Sequence, residues 1–243
     1  MFPDLNAPST SYYCERTSPD FWAEPLNATS SLLVVLVAVV EFILLWRRGL
    51  LSPSVIVLMV LAASIGVGSF LLHTYATVWA EIVDVVPIWS FVVVYGLLAL
   101  RRFAPDSFNL PFASLFSLCV MGTGIALASG DLLRATPLAI TAGFSGSAQY
   151  FPASLMSVSV FWFIWKARHP SLLKLGLGVG LFGLALVFRS VDMRLCETIP
   201  TGTHFMWHIT NCVVFWYLIE AYASHKLPPV GSASAPRVAM PGA

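Results

Sequence analysis

Three histidines carry the clearest chemical signal in this chain. His204-Phe-Met-Trp-His208 sets two imidazoles at i and i+4. On a helix both lie on one face, one turn apart, which suits two ligands of a single metal ion. His73 closes another apolar run, with Ser69 one turn earlier on the same face. Imidazoles, hydroxyls and carboxylates are costly inside a bilayer, so a cluster of them there marks a functional site. Three neutral imidazoles and a water form a catalytic zinc arrangement with one position open. The metal lowers the pKa of that water to roughly 7, which yields hydroxide at neutral pH. A neighbouring carboxylate can shuttle protons, Asp84 being the first candidate and Glu81 the second. Ser69 is placed to steady a developing oxyanion. A single histidine at a helix end is more often an interfacial or core residue. The convergence of three with Ser69 and Asp84 favours the metal.

The elements that must position these residues are membrane helices. The chain has 243 residues, 58% hydrophobic and 10% charged, with mean hydropathy +0.81. A soluble domain carries roughly 25% charged residues, so an all-α, multi-pass integral membrane protein is expected. At about 20 residues per crossing, seven apolar spans are read: 29–46, 53–73, 78–100, 111–129, 147–166, 172–189 and 203–224. Residues 130–146, broken by Gly130, Pro137, Gly143 and Gly146, read as a partly apolar loop. Residues 1–28 form an extramembrane segment, 29–225 the seven-helix domain, and 226–243 a tail rich in Pro, Ser, Gly and Ala that is expected to be disordered. Residues 1–27 lack the basic start and apolar run of a signal peptide. Net charge is +1, which gives no indication of nucleic-acid binding.

Charge distribution orients the bundle. With the N-terminus outside, nine of the 13 basic residues fall on inside segments. Arg16, Arg134, Arg189 and Arg194 fall outside. That bias favours N-out, C-in. The same topology brings Ser69 and His73, Asp84 and Glu81, and His204 and His208 to one outer layer. Glu41 and Glu220 read as interfacial or helix-pairing residues, and His169 and His225 as facing water on the inner side.

Of four cysteines, Cys119 and Cys212 fall within apolar spans and read as small buried hydrophobes. Cys14 and Cys196 fall outside, where either a disulfide or two free thiols is compatible with the residues. The segment Cys14–Glu24 is dense in carboxylates and aromatics. It suits either a hard cation such as calcium or an interfacial loop with aromatic anchors. Asn27-Ala-Thr29 matches a glycosylation sequon.

These blocks together resemble the alkaline ceramidase family, within the wider group of seven-span hydrolases that also holds the adiponectin and progestin receptors. Cys14-Glu15 with Phe21-Trp22-Ala23-Glu24-Pro25-Leu26-Asn27 is similar to the family's opening signature. Ser69-x-x-x-His73, Asp84, Asp192-x-x-x-Cys196 and His204-x-x-x-His208 follow in the family's order, over residues 12–224. The resemblance implies zinc on His73, His204 and His208, with Asp84 as proton shuttle and Ser69 as oxyanion stabiliser. It implies a Cys14–Cys196 disulfide. It also implies a calcium site using Glu15, Glu24 and the Tyr13 carbonyl. There Thr17 stands at an Asn position, Tyr12 stands where an acidic residue is expected, and Asp20 is a substitute ligand. The implied activity is hydrolysis of the amide in ceramide or a related N-acyl lipid, giving a sphingoid base or amine and a fatty acid. The setting would be the cell membrane of a bacterium, or the endoplasmic reticulum or Golgi of a eukaryote. The alternative is a non-catalytic receptor of the adiponectin/progestin type. A proton-relay transporter using Asp84 and Glu81 lacks the inverted repeats and discontinuous helices that would support it.

Overall fold

A computed structural model describes residues 4–9, 13–103, 105, 111, 115–120, 122–123 and 147–225. The described chain is all-helical. It contains α1 (Pro25–Arg47), α2 (Pro53–Tyr75), α3 (Val78–Phe103), α4 (Phe151–Lys166), α5 (Leu172–Val191) and α6 (His204–Ala223), with short 3-10 turns at Ser147–Tyr150 and Asp192–Arg194. Residues 115–120 are also helical. The remainder of the expected span at 111–129, the loop at 130–146 and the tail at 226–243 lie outside the described residues.

Local sequence accounts for the helix starts. Proline occupies the first turn of α1, α2 and α4, where its missing N–H costs nothing. The Ser52 hydroxyl accepts from Val55 N at 3.3 Å and caps α2. At α1, the Glu15 carboxylate accepts from Leu26 N at 2.7 Å and Asn27 N at 2.8 Å. It thus satisfies two of the orphan donors of the first turn from eleven and twelve residues away. The first turn of α3 is met by the N-terminal segment, with Val78 N donating to Ala7 O and Trp79 N to Leu5 O, each at 3.0 Å.

The described helices form a closed ring. Each packs on its neighbour in chain order, and α6 returns onto α1 and also touches α2. Among the described residues, four helical segments are long and apolar enough to cross a membrane: Pro25–Arg47, Pro53–Tyr75, Val78–Phe103 and Leu172–Arg194. Their outer faces are apolar, with Leu36, Trp46, Val60 and Val187 all exposed, as lipid contact requires. At the end of the bundle away from the histidines, Glu220 accepts from Arg48 and Lys174 and ties α1, α5 and α6 together. Glu220 is therefore a helix-pairing residue, as expected.

Several other expectations change. Arg189 is not in an outside loop: α5 continues through it, and its side chain is buried. Glu41 is 1% exposed, with neither carboxyl oxygen hydrogen-bonded, so it is a core group and not an interfacial one. His169 and His225 are half-buried against Phe103 with their rings 4.0 Å apart. Cys212 is buried, but Cys119 is exposed. Asn27 is fully buried and donates to Glu24 at 3.0 Å, which removes it from any glycosylating enzyme.

Candidate metal centre

The three histidines converge. His73 ends α2, His204 and His208 open α6, and one ring nitrogen from each lies within 4.8 Å of the others. All three side chains are buried. Their ring centroids are 4.7–5.1 Å apart. Close backbone approach makes the neighbouring residues reachable. Pro87 lies inside α3 and has no N–H to give the Val83 carbonyl one turn back. Gly68 of α2 packs directly on that carbonyl. A Cβ at Gly68 would lie 2.8 Å from Val83 C and 2.9 Å from Asp84 Cα. Glycine there lets α2 and α3 touch, so that Asp84 meets Ser69.

Hydrogen bonds orient two of the rings. His73 Nδ1 lies 2.6 Å from Glu24 Oε2. Burial alone would raise the Glu24 carboxyl, but the bonds from His73, Asn27 and Arg16 hold it below the ordinary value. An ionised Glu24 accepts the Nδ1 hydrogen and leaves His73 Nε2 as the ligand atom. His208 Nδ1 lies 2.9 Å from Ser30 Oγ. The Ser30 hydroxyl donates to Asn27 O at 3.1 Å, so Nδ1–H must be the donor to Ser30. His208 Nε2 then faces inward, 3.3 Å from Ser69 Oγ. His204 stacks on Tyr13 at 3.9 Å. Its Nδ1 is buried with no hydrogen-bond partner, which a cation within its reach would explain. Three imidazoles, two of them oriented by hydrogen bonds to Glu24 and Ser30, are a donor set for zinc or a similar transition metal and not for calcium or magnesium.

The N-terminal segment is clamped over this centre. Cys14 and Cys196 form a disulfide. Asp192, fully buried, accepts from Cys14 N at 3.0 Å, Thr203 N at 2.6 Å and His204 N at 2.9 Å. One carboxylate thus caps the start of α6 and holds the disulfide strand against it. The approach needs Gly202, whose φ is +63° and where a Cβ would fall 2.8 Å from Cys14 Cβ.

The residues expected to bind calcium are engaged otherwise. Both Glu15 oxygens accept α1 backbone N–H groups. Glu24 pairs with His73, Asn27 and the Arg16 guanidinium. Arg16 also donates to Ser18 O at 3.3 Å, Asp20 O at 3.4 Å and His73 O at 2.7 Å. A side-chain cation therefore already sits among these oxygens. Thr17 and Asp20 are exposed, and the Tyr13 carbonyl accepts from Arg16 N at 3.2 Å. This arrangement does not fit a calcium ion.

Behind the histidines lies an elongated cavity. Ser69, Asp84, Tyr13 and Arg189 share its polar end with the triad, and Leu175 and Leu218 line its far end. The distance along α6 from His204 to Leu218 is about 21 Å at 1.5 Å per residue, the reach of a long acyl chain. Asp84 lines the cavity with Oδ1 unbonded. Glu81 instead accepts from Ser9 at 2.7 Å. Glu24, Ser30, Arg16 and Arg189 were not identified as parts of the centre by spacing. Only the density of polar residues before α1 pointed toward Glu24 and Arg16, and nothing pointed toward Ser30. No family model matches the chain, and no curated protein matches it.

Proposed function

We propose that this protein is a seven-span, N-out, C-in membrane amidase that uses zinc to hydrolyse N-acyl lipids of the ceramide type. The observation that carries the reading is the buried triad His73, His204 and His208 at the polar end of an otherwise apolar cavity of acyl-chain length. The sequence resemblance to alkaline ceramidases agrees with that site. Bound by the three imidazoles, zinc would polarise the amide carbonyl and acidify a water.

The protein's own residues then divide the work. The cavity wall from Ile65 to Leu218 takes the acyl chain and excludes water. The Ser69 hydroxyl, beside His208, donates to the amide oxygen as it becomes negative. Asp84 takes a proton from the attacking water through its unbonded oxygen and returns it to the leaving nitrogen. The C–N bond breaks, hydroxyl adds to the acyl carbon, and the proton goes to the amine.

The test is elemental analysis of detergent-purified protein, wild type beside His204→Ala/His208→Ala, with hydrolysis of N-acyl lipids assayed in parallel. About one zinc per chain, lost in the double variant together with turnover, is the expected result. A folded wild type that holds no transition metal would overturn the reading. Stoichiometric zinc without hydrolysis of any N-acyl lipid would favour the receptor alternative.

A further inference from the structure

A buried cation shares the cavity with the triad, and the proposed reaction leaves it without a role. Arg189, near the end of α5, is 6% exposed. Its guanidinium lies among three rings, with Cζ 5.4 Å from the Tyr13 ring centre, 5.2 Å from Tyr150 and 5.7 Å from Trp207. Nη1 donates to the Tyr13 hydroxyl at 3.0 Å. A phenol is neutral at ordinary pH, so the Tyr13 hydroxyl does not balance the charge. Nε is buried with no hydrogen-bond partner. Among the described residues no carboxylate forms an ion pair with Arg189; Asp84 lines the same cavity but is not within pairing distance.

Among the described residues, this buried guanidinium keeps an idle donor and feels Asp84 only across the cavity, with no carboxylate in direct contact, which is a poor structural arrangement. It is well suited to a carboxylate, which the planar fork can grip with two parallel bonds. One aromatic ring, Tyr13, separates this fork from the triad, since Tyr13 stacks on His204 and accepts from Arg189.

We propose that Arg189 binds a carboxylate on the amine side of the scissile amide, so that the preferred substrate is an N-acyl amino acid. This rests on the amidase reading above. The acyl chain would lie along the apolar cavity, the amide at the triad and the carboxylate on Arg189. Water adds across the C–N bond to release a fatty acid and a free amino acid. A single guanidinium matches one negative charge, which favours a carboxylate over a phosphate dianion.

The experiment measures binding, separately from turnover. Zinc-stripped, full-length protein in detergent is titrated calorimetrically with N-palmitoylglycine, its neutral counterpart N-palmitoylglycinamide, and palmitate. Wild type is expected to bind the carboxylate at least about tenfold more tightly than the amide, as a charged hydrogen bond of this kind warrants. Arg189→Gln should bring the two within about threefold and Arg189→Lys should keep part of the preference, the point charge lacking the fork. Equal binding of the two by wild type would overturn the proposal without any variant. So would an unchanged preference in an Arg189→Gln protein whose unfolding temperature matches wild type. Arg189-dependent binding of palmitate with no advantage for N-palmitoylglycine over its amide would also overturn it, because the anion site would then serve the acyl side. N-palmitoylglycine that binds through Arg189 but is never hydrolysed by zinc-loaded protein would sink the amidase reading and leave the anion site standing. Hydrolysis of neutral N-acyl amides with no carboxylate preference would do the reverse.

Discussion

Glu24 Oε2 lies 2.6 Å from His73 Nδ1, and both side chains are almost fully buried. The carboxylate sets the tautomer and ring angle of His73, so the ligand nitrogen is aimed before any metal arrives. Such partners raise ligand basicity and typically contribute 10–100-fold to metal affinity. Glu24→Gln keeps the shape and removes the charge. We expect zinc affinity, read by competition with a chromogenic chelator, to fall by about 10–100-fold. Unchanged affinity would reduce Glu24 to a partner of Arg16 alone.

Gly68 makes a second prediction, because its missing side chain brings Asp84 within reach of Ser69. Gly68→Ala forces a methyl against the Val83–Asp84 backbone, and a packed backbone cannot yield as a flexible side chain does. Overpacking of this kind costs about 1–3 kcal/mol. The variant should unfold at a lower temperature and lose turnover by more than tenfold, while retaining zinc. Wild-type turnover would mean that Asp84 does not depend on this contact.

The clamp over the site gives a third. The Cys14–Cys196 bridge closes a long stretch of chain, with a separation of 182 residues. Cys14→Ser/Cys196→Ser should destabilise by about 2–4 kcal/mol and expose the segment after Arg16 to protease. Asp192→Ala should do the same with the disulfide intact, since it removes the acceptor for three backbone N–H groups. Identical protease patterns in wild type and both variants would show that the segment is held by other contacts.

The Arg16 guanidinium predicts indifference to calcium. A ligand that binds the folded state adds about 2.7 kcal/mol at a hundred times its dissociation constant. Millimolar calcium added to zinc-loaded protein should leave the unfolding temperature unchanged. A rise of several degrees would show that the ion displaces Arg16 and restores the oxygens of Glu15 and Glu24 to a calcium site.

Much of the frame is local in origin and could be read from the chain. Apolar runs of bilayer length mark the helices, because no other arrangement satisfies their backbone polar groups in lipid. Helical periodicity puts His204 beside His208 and Ser69 beside His73. A consistent topology brings the end of α2 and the starts of α3 and α6 to one layer. What surrounds the imidazoles was decided by tertiary contacts. Ser30 and His208 are 178 residues apart and Glu24 and His73 are 49 apart, and no spacing rule links residues on different helices. Arg189 reads as a loop cation by charge counting. It became a cavity group because α5 continues two residues past the expected end at 189 and Arg189 lines the cavity. Arg16 likewise reads as one more surface charge. Folding of the segment after Cys14 places it among the oxygens that composition alone offered to calcium. Hydrophobic pattern determines which segments are helices, and roughly where each one runs. The partner of each buried polar group is determined by which helix faces meet, a property of the packed bundle.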